Sequence, residues 1–178
     1  MSTQSSPTII RKATLKDAQA IAELGTHVFT VTLGPGFPPA DLQTYLSENY
    51  STSAIAIEIE NPDKDMLVAT STSDVILGFA LMTRGPPEPC IIDIPNQVQL
   101  QRLYIHPSAQ GRGIGKLLVL RVEEEARRQR FENLWLGVYE KNHKAIKIYE
   151  RLGFERVGTH EFVTGKEVQM DLIMLKSL

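Results

Sequence analysis

One cysteine, Cys90, occurs in the whole chain. That rules out an intramolecular disulfide and any multi-cysteine zinc cage, and makes a reducing compartment, cytoplasm or nucleus, the expected location; no metal is expected. Cys90 also lacks a basic neighbour in its proline-rich surroundings, so nothing in the sequence activates it as a nucleophile. Long apolar runs are missing too: none approaches the roughly 18 residues of a membrane span. The opening MSTQSSPTII lacks the basic-then-apolar layout of a signal peptide. No membrane partner is therefore expected. Charge of one sign is not in excess, with 19 Lys+Arg against 21 Asp+Glu. This argues against nucleic acid as a partner, because general binders carry a strongly basic face.

What is present is enough length and order for one core. The 178 residues fit a single domain spanning 1–178, with residues 1–7 polar and frayed. About 70% of the unfolded chain's surface can be buried at this size, so no staple is needed. Charge is unevenly placed: residues 1–96 hold 5 basic and 11 acidic side chains, residues 97–178 hold 14 and 10. A solvated surface accounts for this as well as a cationic ligand near the first half and an anionic one on the second.

The periodicities predict an α/β chain with a mixed sheet. Ile9–Ile10 begin a short strand. Thr14-x-x-Asp17 resembles a capping box opening a helix whose stripe is Ala18, Ile21, Ala22, Gly25, Val28 and Phe29. Gly34–Pro39 must break it, and Leu42, Tyr45 and Leu46 mark a second helix. Residues 53–60 are ambiguous, because Ile55, Ile57 and Ile59 alternate like a strand while Asn61-Pro62 could end a helix. Met66–Thr70 and Val75–Thr83 read as a hairpin, and 84–96, with four prolines, as a surface loop. In Val98–Ile105 the apolar parity switches between Leu100 and Leu103, which predicts a β-bulge around Gln101–Arg102; a strand apolar on both faces is the alternative. A helix over 113–130 follows, with Ile114, Leu117, Leu118, Val122 and Ala126 inward and the Glu123–Glu125 and Arg127–Arg128 runs on a solvated face. Asn133–Tyr139 reads as a central strand. Asn142 caps a helix with stripe Ala145, Ile148, Tyr149 and Leu152, closed by Gly153. Residues 154–162 and 167–175 form a last hairpin across Thr164-Gly165.

The most informative segment is the glycine-rich turn within Leu103–Lys116, between a strand and a helix. Gly111, Gly113 and Gly115 let backbone N–H groups converge at a helix N-terminus, a site for an anion such as pyrophosphate. A dinucleotide GxGxxG from Gly111 would need glycine where Lys116 stands. A phosphate loop GxxxxGK[ST] would need glycine at Gln110 and a hydroxyl at Leu117. Both fail.

Gln110-Gly-Arg-Gly-Ile-Gly115 after the strand ending Ile105-His-Pro107 resembles the acetyl-CoA motif of the GNAT superfamily of N-acetyltransferases. The second signature of that family resembles Asn142-His-Lys-Ala145 through Tyr149-Glu-Arg-Leu-Gly-Phe154, and the stretch from Leu134 to Lys176 is similar to PaiA-type spermidine/spermine acetyltransferases. The resemblance implies a single mixed, mostly antiparallel sheet of about seven strands, flanked by helices and splayed between the strand ending at Ile105 and that ending at Tyr139. It implies a helix for 53–60. It also implies acetyl-CoA as cosubstrate, its pantetheine paired with backbone near Leu103, Tyr104 and Ile105 and its pyrophosphate over Gln110, Gly111, Arg112, Gly113, Ile114, Gly115 and Lys116. Asn142, Lys144 and Ala145 complete the cofactor site. Arg112, Lys116 and Lys144 meet phosphates or serve as plain surface charge.

Thioester aminolysis needs a neutral amine, a polarised carbonyl and a stabilised leaving thiolate. The resemblance makes Tyr149 the acid, placed two helical turns from Asn142 on one face; burial in the core stripe is the alternative. Backbone N–H near Leu103–Tyr104 is the expected carbonyl polariser. The family's usual glutamate base falls at Gln99, which cannot take a proton, leaving Glu140, His143 and His160 as candidates. His106 reads as surface, and His27 as a helix residue that could face the substrate cleft. The implied activity is acetyl transfer to a polyamine or other small cationic amine, attracted by Asp41, Glu48 and Asp93. Protein N-terminal or lysine acetylation and a silent CoA-binding module are the alternatives, and a homodimer is left open.

Overall fold

The apolar stretches pair into one seven-stranded sheet in the computed structural model, which describes residues 7–164 and 167–178. The strands are β1 (Ile9–Lys12), β2 (Lys64–Thr70), β3 (Ile76–Thr83), β4 (Gln97–Ile105), β5 (Asn133–Tyr139), β6 (Glu155–Thr164) and β7 (Glu167–Ser177). Their order is β1-β2-β3-β4-β5-β7-β6, with β4–β5 the one parallel pair among the described residues. The helices are α1 (Ala18–Thr32), α2 (Pro39–Tyr50), α3 (Thr52–Glu60), α4 (Ile114–Arg128) and α5 (His143–Arg151). This is the expected open, mixed sheet flanked by helices. Most of the expected frayed start, and Gly165 of the expected Thr164-Gly165 turn, lie outside the described residues.

Strand alternation sends side chains to two faces. Leu67 and Ala69 join the core under α4, with Leu118, Val122, Leu136 and Met174, while Met66 and Val68 join the core under α1–α3, with Ile21, Phe29, Ile55 and Phe79. A third small cluster, Ile91, Trp135 and Ile173, lies under the β3–β4 connection. Residues 84–96 are therefore not a free surface loop. Ile91 is buried, and Cys90 packs so closely on Gly158 of β6 that a Cβ there would fall 2.5 Å from its sulfur.

Residues 53–60 form helix α3, against their period of two. Ser51 accepts a hydrogen bond from the Ala54 N–H at 3.2 Å, so a cap starts the helix, and Ile55 turns inward while Ile57 stays outside. The entry to α1 carries the Asp half of the expected box: the Thr14 N–H donates to Asp17 at 2.7 Å. Arg11 pairs with Asp17 at 2.8 Å and, by hydrogen bonding, holds its carboxyl down to about 2. That stabilisation is present above the ordinary carboxylate range and is lost as pH falls toward 2.

Three expectations about helix faces are corrected. In α4, Leu117 is exposed and Val119 is buried. The acidic run is solvated only at Glu124, because Glu123 and Glu125 are buried, while Arg127 and Arg128 are exposed as expected. Glu123 takes Lys176 at 2.6 Å and Arg127 at 3.4 Å, while Glu125 takes Arg128, Gln129 and Lys12. The sequence does not show these partners, because Lys12 on β1 and Lys176 on β7 are distant from the run. In α5, Ile148 is exposed and Ile146 is buried.

Candidate active site

The predicted bulge is present. Leu81 pairs with Arg102 and Met82 with Leu100, leaving Gln101 without a partner on β3. The extra residue keeps Val98, Leu100, Leu103 and Ile105 all on the α4 side and turns Arg102 and Tyr104 to the α1–α3 side. Arg102 is buried there, paired with Glu58 of α3 at 2.6 Å, its guanidinium 4.7 Å above the Tyr50 ring. Tyr104 shares a 2.7 Å hydrogen bond with Tyr50, and burial pushes both phenols up.

Just before the bulge the sheet opens. The parallel ladder joins Gln97, Val98 and Gln99 to Asn133, Leu134 and Trp135 and goes no further. From there β4 and β5 diverge, leaving a slot between Leu100–Ile105 and Leu136–Tyr139. Leu103 and Ile105 pack their side chains into the core and Tyr104 turns to the opposite face, so what this arm of β4 offers the slot is backbone.

The slot runs to the turn that opens α4. Gly111 and Gly113 have φ of 75° and 76°, a left-handed conformation that favours glycine, and a Cβ on either would meet nothing within 4 Å. The space in front of them is open. Ile114 is buried, so it too contributes backbone, while Gln110, Arg112 and Lys116 are exposed. His106 is on the surface, as expected, its ring accepting the Ser108 N–H at 3.2 Å.

Across the slot, Asn142 caps α5 by accepting the Ala145 N–H at 3.2 Å. The cap commits the Asn142 carbonyl and the Ala145 N–H to each other and leaves the Asn142 amide N–H groups. Lys144 is exposed. Tyr149 is held by the helix end: Phe154 N–H donates to the Tyr149 carbonyl at 3.0 Å, Gly153 at φ 93° makes the left-handed turn, and the Phe154 ring stands edge-on to Tyr149 at 5.8 Å. Burial, with Tyr104 nearby, pushes the Tyr149 phenol up to about 12. Tyr149 packs on the α4-side core, and its electrostatic neighbour lies on β4.

Gln99 lies at the fork, half-buried. Of the three alternative bases, Glu140 is exposed in the turn into α5 and His143 is exposed at its first residue, whereas His160 on β6 pairs with Glu88 at 2.8 Å and stands in register with Asp171 of β7. Asp171 and Glu88 were missed in the sequence, where each is an isolated acid. His27 lines an open groove of about 560 Å³ between α1 and the α2–α3 corner, with Glu23, Thr30 and Tyr50. Tyr50 is the link between that groove and β4. Asp41, Glu48 and Asp93 are exposed. Among the described residues no group of His, Cys, Asp or Glu is placed to hold a metal ion, and no helix is long and apolar enough to cross a membrane.

Comparison with known proteins agrees with this geometry. The profile of the acetyltransferase (GNAT) family matches residues 35–154. The chain is 29% identical over 163 residues to an uncharacterized N-acetyltransferase from the pepI 3′ region of Lactobacillus delbrueckii subsp. lactis, covering 92% of this chain and 93% of the relative. It is 24% identical over 149 residues to a spermidine N(1)-acetyltransferase of Thermoplasma acidophilum, covering 82% and 87%. The fold matches the crystal structure of the PaiA N-acetyltransferase of Thermoplasma acidophilum in complex with coenzyme A, with a TM-score of 0.76 and 24% identity over 97% of this chain and 99% of that one.

Proposed function

The chain belongs to the acetyltransferase (GNAT) family, and from that premise we propose that it moves an acetyl group from acetyl-CoA to a primary amine of a small cationic acceptor of the spermidine kind. That it is an N-acetyltransferase is given by the family; the acceptor and the residue roles are our reading. The observation that carries it is the parting of β4 and β5 beside the left-handed glycine turn. A slot with free backbone groups, ending at a cradle of N–H groups, suits a long cosubstrate with a pyrophosphate at one end and a thioester at the other.

In this reading the backbone of Leu103, Tyr104 and Ile105 pairs with pantetheine, and Gln110 through Lys116 hold the pyrophosphate. Arg112, Lys116 and Lys144 approach the phosphates, and the Asn142 amide donates to a pantetheine carbonyl. Backbone N–H released by the bulge polarises the thioester carbonyl. Tyr149 points its hydroxyl at the sulfur. With its pKa near 12, above the roughly 8.5 of a thiol, it stays protonated at neutral pH and serves as a hydrogen-bond donor as charge builds on sulfur.

A cationic acceptor is supported by the exposed Asp41, Glu48 and Asp93 and by the spermidine acetyltransferase among the relatives. The test is thiol release from acetyl-CoA with spermidine, spermine, an alkyl monoamine and a neutral-start peptide. Spermidine or spermine is expected to lead the monoamine in kcat/KM by about tenfold or more, one well-placed charge pair's worth. A neutral-start peptide in the lead overturns the cationic acceptor and leaves protein acetylation in its place.

A further inference from the structure

The family's usual base position holds Gln99, so the amine must lose its proton elsewhere. Asp171 stands on β7 beside the arm of β5 that has left β4, in register with Tyr139 on one side and His160 on the other. Its neighbours Ile173 and Trp135 form the small cluster beneath the β3–β4 connection, so it belongs to the sheet face opposite α4 and α5. On that face Tyr139 stands directly beside it, and the next β5 residue toward the fork is Gly137, which is exposed; a Cβ there would lie 3.6 Å from Asp171 Oδ2. A side chain at 137 would cover the carboxylate. Glycine leaves it open toward the slot.

We propose that Asp171 is the proton acceptor for the attacking amine, reached across the gap at Gly137, with the Glu88–His160 pair closing the far side of the subsite. The inference rests on acetyl transfer to an amine, not on which amine is used. The ammonium gives one proton to an Asp171 carboxylate oxygen, and the freed lone pair attacks the thioester carbonyl carbon. As the intermediate collapses the C–S bond breaks, its electron pair goes to sulfur, and the nitrogen's surplus proton reaches sulfur by way of the Tyr149 hydroxyl. Asp171 is half-exposed, so water takes its proton and one proton leaves per turnover.

The surroundings suit a base. Among the described residues the titratable groups beside Asp171 are Tyr139, His160 and Glu88. Burial raises its pKa above the usual carboxylate value, His160 opposes the rise and Glu88 adds to it. A carboxylate with a raised pKa binds protons more readily in the folded than in the unfolded chain, so its ionisation costs stability above the ordinary carboxylate range. A residue kept at a cost to stability points to function.

The experiment measures kcat and KM against pH for wild type, Asp171→Asn and Asp171→Glu, using whichever amine of the panel above leads it. At pH 7, Asp171→Asn is expected to lose about 10²-fold or more in kcat/KM. The deficit should shrink as pH rises toward the amine's own pKa, where free amine no longer needs a base. Tm at pH 7 should equal or exceed that of wild type, and Asp171→Glu should recover part of the rate. Gly137→Val, which covers the carboxylate without removing it, serves if Asp171→Asn does not fold; it should lower amine kcat/KM by about tenfold with acetyl-CoA affinity unmoved. A deficit constant across pH, or near-wild-type kcat/KM in the variants, overturns the assignment. Failure of the polyamine reading is seen separately, in the ranking of the panel.

Discussion

The two sides of the splayed sheet are built by different means. The proposed cofactor side comes from two short stretches, Gln110–Lys116 and Asn142–Phe154, each placed by its own local geometry: left-handed glycines before α4, and a side-chain cap with a glycine-terminated helix end in α5. The proposed acceptor side takes Tyr50, Glu88, Tyr104, Gly137, His160 and Asp171 from six separate stretches, brought together by the order β4-β5-β7-β6, the docked β3–β4 connection and the hydrogen bond from α2 to β4 between Tyr50 and Tyr104. The difference teaches that one site can be half local and half tertiary. Its local half is fixed by backbone conformation, its tertiary half by strand register.

The largest effect expected on the cofactor side is at Tyr149. Tyr149→Phe should lower kcat by about 10²-fold, the low end for a positioned acid because a thiolate leaves readily. Acetyl-CoA affinity should barely change. With the phenol held near 12, wild-type activity should show no alkaline loss from this group until pH approaches that value. Wild-type turnover in Tyr149→Phe would return the residue to the core and leave the acceptor side to carry the chemistry.

Gly113→Val is expected to weaken acetyl-CoA binding by more than about tenfold, because a branched side chain at a left-handed position both strains the turn and fills the open space before it. Calorimetry decides it. The smallest effect is on the acceptor side: if exposed acids draw in a polycation, spermidine KM should rise about two- to threefold between about 0.05 and 0.5 M salt while kcat stays flat. A KM indifferent to salt would remove Asp41, Glu48 and Asp93 from recognition.

Legibility followed the same division. The bulge at Gln101 was readable because a parity switch from Leu100 to Leu103 has few other causes, and the glycine turn because three alternating glycines at a helix start are a backbone instruction. α3 was not readable from period alone: Ile55, Ile57 and Ile59 alternate, and the cap at Ser51 outweighed them. Nor was the burial of Glu123 and Glu125, which depends on Lys176 and Lys12 arriving from the two ends of the chain. In sequence Asp171 is one polar residue between Met170 and Leu172, with nothing to single it out. Its proposed role rests on Gly137 of the neighbouring strand, a relation that exists only in the register of β5 with β7.

The most direct test sets Gly113→Val beside Gly137→Val, measuring acetyl-CoA affinity by calorimetry and amine kcat/KM by thiol release. Two glycines, one on each side of the sheet, should separate the two functions. Gly113→Val should lose more than about tenfold in acetyl-CoA affinity, and Gly137→Val should keep that affinity within about twofold while losing about tenfold in amine kcat/KM. If both variants lose acetyl-CoA affinity together, or if Gly137→Val handles the amine like wild type, the division into a cofactor side and an acceptor side is contradicted.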